Sequence, residues 1–553
     1  MTFPFLKGRP RFASQALTQG GSDAAVTDGW RMTLAALDLP QAIASVEGPF
    51  AVAMPGPDGS TTLAVDRFAI QSLCYRIDGD RITVAERADE LAGSSAPLDP
   101  QAIYDYLYFH AIPSPRTAYQ GVFRLPPAHY AVFANGHLRV APYWVPTFDD
   151  AGRGESFDAL RDRFKTLLRD AVATQLDGSK PACYLSGGTD SSTVAGMIRE
   201  ASGQRAASYS IGFDADGYDE MSYARLAAQH FDTEHHEYYV TPDDLVRSIP
   251  EVAASYDQPF GNSSALPAYY CARMAREDGV SRILAGDGGD ELFGGNTRYA
   301  KQRVFNWYGQ VPAALRSGFV EPLSRSVRAL PLLSKAWSYV EQARQPMPAR
   351  LESYNLLLRL GVERVLSPAF RQQLDPSLTL REQEAVWSSA RTDSLLNRQL
   401  AFDWRYTLAE NDLPKVCGTS RLAGLQVGFP MLDTGLLDFA AALPVDYKLR
   451  GLKLRWFFKE ALRGFLPDAI ITKKKQGFGL PFGVWALRHD ALRRLAQDAL
   501  GTLAGRGIVE PAFLRELLDQ RLAEHAGYYG EMVWILIMLE HWLRVHSPDY
   551  RVD

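Results

Sequence analysis

Residues 184–192 read Tyr-Leu-Ser-Gly-Gly-Thr-Asp-Ser-Ser, and this stretch indicates more about the fold than any other part of the chain. The apolar run 182–185 before it is typical of a short buried strand, and a helical apolar pattern begins at Ser192. A strand, a glycine turn and a helix N-terminus together point backbone N–H groups and a helix dipole at one anion. Because Asp190 would repel a bare phosphate, the pattern predicts a bridging metal, most simply Mg²⁺.

This loop lacks the Gly-x-x-x-x-Gly-Lys-Ser/Thr pattern of the Walker phosphate loop. It resembles instead the Ser-Gly-Gly-x-Asp-Ser loop of the ATP pyrophosphatases, which holds pyrophosphate while a substrate oxygen attacks the α-phosphate of ATP. Taken alone, the same residues also suit a strand–turn–helix junction that binds nothing.

A second glycine-rich segment follows the apolar run 283–285 and reads Gly-Asp-Gly-Gly-Asp-Glu-Leu-Phe-Gly-Gly over 286–295. Its two aspartates, Asp287 and Asp290, can supply a metal ligand and a polar contact near a phosphate. A solvated loop is the alternative for this segment alone. Two such loops after neighbouring strands favour a nucleotide site, since ligands bind at the carboxyl ends of parallel strands.

The composition excludes several classes of protein. The formal net charge of −5 and the pI of about 6.1 argue against a basic nucleic-acid binder, and they make sulfur transfer to tRNA remote. The four cysteines are scattered without a Cys-x-x-Cys pair, so we expect neither a zinc site nor a disulfide framework and place the protein in the reducing cytoplasm. The N-terminus lacks the apolar region of a signal peptide, and the apolar run 532–539 is too short to span a membrane.

The 553 residues predict two to four domains. Residues 1–145 read as β-rich, with a helix near 101–110, and a polar, glycine-containing stretch at 146–156 marks a domain boundary. A helix should begin at Ser156. From 181 the chain alternates strands and helices, which indicates a parallel sheet with crossover helices, and 300–545 read as mostly helical.

Further segments of the chain carry a family resemblance, and they stand in one order: 65–70, 125–129 and 143–144 in the N-terminal part, then 257–267, 286–295, 425–433 and 473–481. Together with the loop 186–192 they resemble the glutamine-dependent asparagine synthetase family over nearly the whole chain. The resemblance implies an α/β protein with two domains. Residues 1–148 would form an N-terminal α+β, Ntn-hydrolase-like domain, a degenerate glutaminase. Residues 155–545 would form an ATP-pyrophosphatase domain, like the adenine nucleotide α-hydrolases, with a parallel sheet and a helical C-terminal part.

The resemblance also implies site residues, with ATP and Mg²⁺ as cofactors. Those for ATP and pyrophosphate are Ser186, Gly187, Gly188, Asp190, Ser191, Ser192, Ile211, Gly212 and Gly286, of which Ile211 and Gly212 would flank the base. Asp190 and Asp290 would bind Mg²⁺. Lys475 would stabilise charge on the α-phosphate, and Asp287 would act as base towards the amine. Lys415 and Gln426 would lie near the carboxylate substrate, although Lys415 also suits a helix surface.

The chain departs from the family pattern in two places. Position 2 is Thr2, where the family's glutaminase needs a cysteine, and the family's Asn-Gly-Glu-Ile-Tyr-Asn loop is missing from residues 1–100. We therefore expect that glutamine hydrolysis is lost. Gln426 and Gly428 stand where the family has glutamate and arginine, which argues against free aspartate as the acid.

These patterns predict an AMP-forming amide ligase that adenylates a small-molecule or peptide carboxylate and then joins it to ammonia or an amine. One alternative is a cyclase of the macrolactam or β-lactam type that closes a ring within a peptide or metabolite. Another class of alternative is an inactive nucleotide-binding scaffold. We expect no nucleic-acid or membrane partner, and a homodimer is one option for the assembly.

Overall fold

The computed structural model describes residues 4–12, 22–93, 96–310, 312, 334–474 and 479–552. The strands in chain order are β1 (Phe5–Gly8), β2 (Phe50–Pro55), β3 (Thr61–Val65), β4 (Cys74–Asp78), β5 (Arg81–Ala85), β6 (Val122–Arg124), β7 (His129–Ala134), β8 (His137–Pro142), β9 (Ala182–Tyr184), β10 (Ala207–Phe213), β11 (Glu234–Val240), β12 (Arg282–Leu284), β13 (Gln426–Gly428), β14 (Leu449–Arg450) and β15 (Lys453–Leu454).

The α-helices in the described part of the chain are α1 (Asp23–Ala36), α2 (Leu39–Ala44), α3 (Ala88–Ala92), α4 (Pro100–Phe109), α5 (Phe157–Ala173), α6 (Thr189–Ser202), α7 (Met221–Phe231), α8 (Pro242–Ser255), α9 (Ala265–Glu277), α10 (Gly289–Phe293), α11 (Thr297–Gln310), α12 (Ser334–Arg344), α13 (Leu356–Leu360), α14 (Val362–Val365), α15 (Pro368–Arg371), α16 (Pro376–Ser389), α17 (Leu395–Asp403), α18 (Leu413–Leu422), α19 (Thr434–Ala442), α20 (Val445–Lys448), α21 (Trp456–Ala461), α22 (Asp468–Thr472), α23 (Phe482–Arg488), α24 (Asp490–Ala504), α25 (Pro511–Glu516), α26 (Leu522–Glu524) and α27 (Ala526–His546). Short 3₁₀ turns cover Ala151–Gly154, Ala349–Tyr354 and Pro430–Leu432, and π-helical stretches cover Trp404–Asp412 and Leu517–Arg521.

The N-terminal domain is a sandwich of two antiparallel sheets, ordered β1-β2-β3-β7-β8 and β5-β4-β6. Alternate side chains of both sheets, such as Leu63 and Tyr75, form the core between them. Trp30 and Ile43 of α1 and α2 cover the outer face of the first sheet, and α3 lies against the second. This arrangement confirms the predicted α+β domain, and α1 and α2 add helices to a region that the sequence shows mainly as β-rich.

The second domain is built on a five-stranded parallel sheet ordered β11-β10-β9-β12-β13. Strands β9 and β12 are neighbours, with Cys183 opposite Leu284. The predicted parallel sheet is therefore confirmed, and so is the helix α5, whose first turn is capped by Ser156. Because parallel strands end at the same edge, the loops after β9 and β12 lie side by side.

Helices after the sheet form the rest of this domain. In α27 the apolar run 532–539 is fully buried, as the sequence predicts for a core helix. No helix in the described part of the chain is long and apolar enough to cross a membrane.

One continuous helical segment leads from α17 through the π-helical residues 404–412 into α18. The N-terminal domain supports it: Glu410 accepts hydrogen bonds from Ser114 Oγ at 2.7 Å and from Arg124 Nη2 at 2.9 Å. Asp412 ends the π-helical stretch, and Lys415 follows it in the first turn of α18.

Candidate active site

The loop after β9 closes on itself through Ser191. The backbone N–H of Ser186 donates to Ser191 Oγ at 3.1 Å, and the two serine hydroxyls are 3.0 Å apart. Helix α6 begins at Thr189, three residues before the predicted start at Ser192, because Gly188 takes the N-cap position. Asp190 and Ser191 thus belong to the first helical turn, where the positive end of the dipole acts.

Glycine is required in this loop for two steric reasons. Gly187 has a φ of +69°, and a Cβ there would lie 2.4 Å from the backbone nitrogen of Ala224 in α7. Gly286, in the loop after β12, touches the first loop: a Cβ would lie 2.7 Å from the backbone nitrogen of Ser191 and 2.8 Å from the carbonyl carbon of Asp190. The two glycine-rich loops are therefore in direct backbone contact.

This contact gives a testable prediction for Gly286→Ala. The new methyl group meets rigid backbone, so we expect it to push the loops apart and to weaken ATP binding by at least about tenfold, or about 1.4 kcal/mol. Isothermal titration with an ATP analogue measures the change. Gly501→Ala is the matched control, since a Cβ at that helical position would have no atom within 4 Å among the described residues, apart from the backbone of its own helix. Equal nucleotide affinity in both variants would show that the loop contact does not shape the site.

The two predicted metal ligands converge at the tips of β9 and β12. Nη1 of Arg455 lies 2.8 Å from Asp190 Oδ2 and 2.8 Å from Asp290 Oδ1, and 3.0 Å from Thr189 Oγ1. A single point is thus within reach of both carboxylates. Burial opposes the charge of this guanidinium, but Asp190 and Asp290 outweigh burial and raise the pKa of Arg455.

Arg455 is the main site residue that the sequence reasoning missed. It follows the hairpin β14–β15 and stands in the left-handed region at a φ of +54°. Its side chain is only 6% exposed, and its guanidinium carbon lies 4.0 Å from the ring centroid of Phe458. Lys459, one turn further along α21, lines the same cleft, and burial together with the charge of Arg455 lowers the pKa of Lys459. The sequence motifs do not predict Arg455 or Lys459 at the site, because their position depends on the hairpin β14–β15, which is far in sequence from both glycine-rich loops.

Lys415 lies between two carboxylates at the other end of the cleft. Its Nζ is 3.0 Å from Asp412 Oδ1 and 3.7 Å from Asp287 Oδ1. Burial works against the charge of Lys415, but Asp412 and Asp287 outweigh it and raise its pKa. Burial raises the pKa of Asp287 above its usual range, against the opposing effect of Lys415. Lys415 is therefore a largely buried lysine paired with two carboxylates, and not the surface residue of the alternative prediction.

One cleft of 1260 Å³ brings most of the predicted residues together. Its walls include Ser186, Gly188, Asp190, Ser191, Ile211, Gly286, Asp287, Asp290 and Lys415. Three predicted residues stand behind the wall. Gly187 packs on α7, Gly212 faces the Tyr239 ring, which a Cβ would approach to 2.6 Å, and Ser192 is fully buried. The Ser192 hydroxyl, expected to bind pyrophosphate, has no hydrogen-bond partner among the described residues.

Gln426 does not lie in the cleft. It lines a separate cavity of 350 Å³ between the two domains, called here the interdomain cavity, and its Oε1 is 3.5 Å from Nη1 of Arg282. Helix α18 separates the two spaces, since Val416 lines the cleft and Cys417 lines the interdomain cavity. The structure therefore places Gln426 outside the cleft, because it pairs with Arg282 at the start of the parallel strands, whereas the glycine-rich loops follow their other ends.

Lys475 lies outside the described residues, but the two residues just before it, Lys473 and Lys474, line the cleft. Lys473 Nζ is 2.9 Å from Glu220 Oε1 and lies 4.4 Å from the ring centroid of Tyr223. Tyr223 adjoins the backbone that packs on Gly187, so the ion pair fixes this segment beside the first glycine loop.

Comparison with known proteins agrees with this architecture. The model of the asparagine synthase family matches residues 163–544, and that of a glutamine amidotransferase domain matches residues 34–144. Because the first match alone spans more than half of the chain, the chain belongs to the asparagine synthase family. Membership supports an ATP-dependent, amide-forming ligase at the level of the family.

Individual relatives are distant. Asparagine synthetase [glutamine-hydrolyzing] 1 of Bacillus subtilis is 22% identical over 490 residues, which cover 87% of this chain and 74% of the relative. A putative asparagine synthetase of Mycobacterium bovis is 25% identical over 84% of this chain and 72% of the relative. A protein of Gibberella zeae named as an amidase is 26% identical over 46% of this chain and 40% of the relative.

Proposed function

We propose that this protein is an AMP-forming amide ligase that adenylates a carboxylic acid and then transfers the acyl group to ammonia or an amine. The observation that carries the proposal is the convergence of Asp190 and Asp290 on one cation position, in the same cleft as the Asp287–Lys415 pair. A site for the leaving diphosphate and a site for the amine thus share one space.

In the first half-reaction, a carboxylate oxygen attacks the α-phosphorus of ATP, and the bond to the β-phosphate oxygen breaks. The N-terminal turn of α6, the hydroxyls of Ser186 and Ser191, and the cations Arg455 and Lys459 would hold the departing diphosphate. The donor set fits Mg²⁺, which uses one or two carboxylates together with phosphate oxygens. When bound, the ion would neutralise charge on the phosphates, with Asp190 and Asp290 as its protein ligands. Lys475 remains the predicted cation at the α-phosphate.

In the second half-reaction, the nitrogen attacks the acyl carbon, AMP leaves, and the nitrogen loses a proton. Asp287 would take that proton, since its raised pKa makes it a better base than an ordinary aspartate. Lys415 would hold Asp287 in place and, together with Asp412, orient the acid.

The nitrogen source we propose is free ammonia or an amine, and not glutamine. Cys74 is the single cysteine of residues 1–148, it is fully buried, and burial raises the pKa of its thiol. Such a thiol is a poor nucleophile. Thr2 lies outside the described residues.

The cleft of 1260 Å³ exceeds the roughly 300–1,000 Å³ usual for a pocket that holds one small ligand, which suits a site for ATP together with a second substrate. A substrate that carries both acid and amine, and so closes a ring, is the second candidate.

The test is a screen of carboxylic acids with Mg-ATP, scored by pyrophosphate and AMP. We expect acid-dependent release of both in equal amounts, with ammonium or an amine supporting amide formation and glutamine supporting none above about one per cent of that rate. Glutamate formed in step with amide would refute the loss of glutaminase activity. ADP in place of AMP would refute the reaction type, and tight nucleotide binding without turnover on any acid would leave the scaffold hypothesis standing.

A further inference from the structure

Arg455 sits where a metal ion would have to sit. Its Nη1 is 2.8 Å from a carboxylate oxygen of each predicted metal ligand, Asp190 and Asp290, and its Nη2 also contacts Asp190. A planar guanidinium with five donors can bridge two carboxylates, which a point charge does less well. The side chain thus supplies, between Asp190 and Asp290, the positive charge that a divalent ion would otherwise bring.

The position of Arg455 is built into the fold. Its backbone is held in the left-handed region between the hairpin β14–β15 and α21, and its guanidinium packs on the face of Phe458. Two glycines make room for the carboxylates that the guanidinium bridges. A Cβ at Gly289 would lie 2.2 Å from Asp190 Oδ1, and one at Gly295 would lie 1.8 Å from Asp290 Oδ1, so both carboxylates fill space that only glycine leaves.

Binding of a divalent ion without nucleotide is unfavourable, because the ion must replace the guanidinium between the two carboxylates. The ion would displace the guanidinium from its two anionic partners and leave that cation buried beside a dication. An ion that arrives with the phosphates of ATP brings new anionic oxygens, to which the guanidinium can turn. The interaction free energy of Arg455 with the site therefore favours metal and nucleotide together over metal alone.

We propose that Arg455 is a resident counter-ion of the metal site, which makes binding of the divalent ion conditional on nucleotide. The inference rests on the proposed function for the identity of the site. It concerns binding order, and its test needs no turnover.

The experiment measures Mn²⁺ binding to the full chain by the electron paramagnetic resonance signal of free Mn²⁺, with and without a non-hydrolysable ATP analogue. For the wild-type protein we expect the analogue to tighten Mn²⁺ binding at least about tenfold. In Arg455→Gln we expect nucleotide-free Mn²⁺ binding to be at least about tenfold tighter than in the wild type, since the two carboxylates then lose the guanidinium that bridges them. Mn²⁺ should also raise the melting temperature of this variant more than that of the wild type.

Two further variants keep the test decisive. Arg455→Lys retains the positive charge but not the forked guanidinium, so its Mn²⁺ affinity without nucleotide should lie between those of the wild type and Arg455→Gln. This variant also tests the inference if Arg455→Gln does not fold. Arg463→Gln is the matched control, because Arg463 lines the same cleft but pairs with Glu460 and Asp468 instead. Nucleotide-free Mn²⁺ affinity in Arg455→Gln no tighter than in the wild type would overturn the inference, as would tight nucleotide-free binding by the wild type. If Mn²⁺ binds as expected but no acid causes release of pyrophosphate, the proposed function is overturned and the inference about Arg455 stands.

Discussion

Replacing Asp190 by asparagine is expected to abolish acid-dependent exchange of labelled pyrophosphate into ATP, with a loss of at least about a hundredfold, or about 3 kcal/mol of transition-state stabilisation. Asparagine keeps the shape of the side chain but removes the charge that would neutralise the metal and pair with Arg455. Asp290→Asn should act in the same direction, since Asp290 reaches the same point from the neighbouring strand.

The matched control is Asp158→Asn, an aspartate in the first turn of α5 that is 76% exposed. Exchange in this variant should equal that of the wild type. Because Asp190 and Asp290 are joined through one cation position, the double variant should be scarcely worse than either single variant. Exchange that survives in Asp190→Asn would remove the first glycine loop from the reaction.

Asp287→Asn is expected to separate the two half-reactions. Pyrophosphate exchange should stay within about threefold of the wild type, whereas amide formation should fall by about 10²–10⁴, because the amine then has no base. Lys415→Met should reduce both, since it leaves Asp287 and Asp412 facing each other without their shared cation.

The pH dependence of amide formation gives an independent check on Asp287. A base works in its ionised form, so the rate should fall as the pH drops through the raised pKa of Asp287, at a higher pH than for an ordinary aspartate.

Lys180→Met, at a surface ion pair with Asp278, is the control for Lys415→Met and should leave both rates unchanged. Equal loss of exchange and amide formation in Asp287→Asn would show that Asp287 is not the base for the amine.

Much of the fold could be predicted because its signals are local. The β-rich character of residues 1–145, the helix that Ser156 caps and the strands β9 and β12 each follow from apolar spacing and turn residues within a few positions. The start of α6 was placed three residues late, since the apolar pattern does not register the polar first turn from Thr189. The π-helical stretch 404–412 has no sequence signature and depends on packing against the N-terminal domain.

The site could be predicted only in part, for the same reason. Asp190, Asp287 and Asp290 lie in glycine-rich loops that directly follow strands, so their convergence follows from a parallel sheet. Arg455 and Asp412 come from segments whose approach depends on long-range packing, and neither stood out. The resemblance predicts Gln426 near the carboxylate substrate, but Gln426 begins β13, at the end of the strand away from the glycine-rich loops, and lines the interdomain cavity.

The most direct measurement of the central claim is a crystal structure with Mg²⁺ and an ATP analogue that cannot be cleaved between the α- and β-phosphates. We expect a metal within about 2.1 Å of a carboxylate oxygen of both Asp190 and Asp290 and of a phosphate oxygen. We also expect that the guanidinium of Arg455 moves from the carboxylates to the phosphates. A triphosphate that points away from these two aspartates, with Arg455 still between them, would contradict the account.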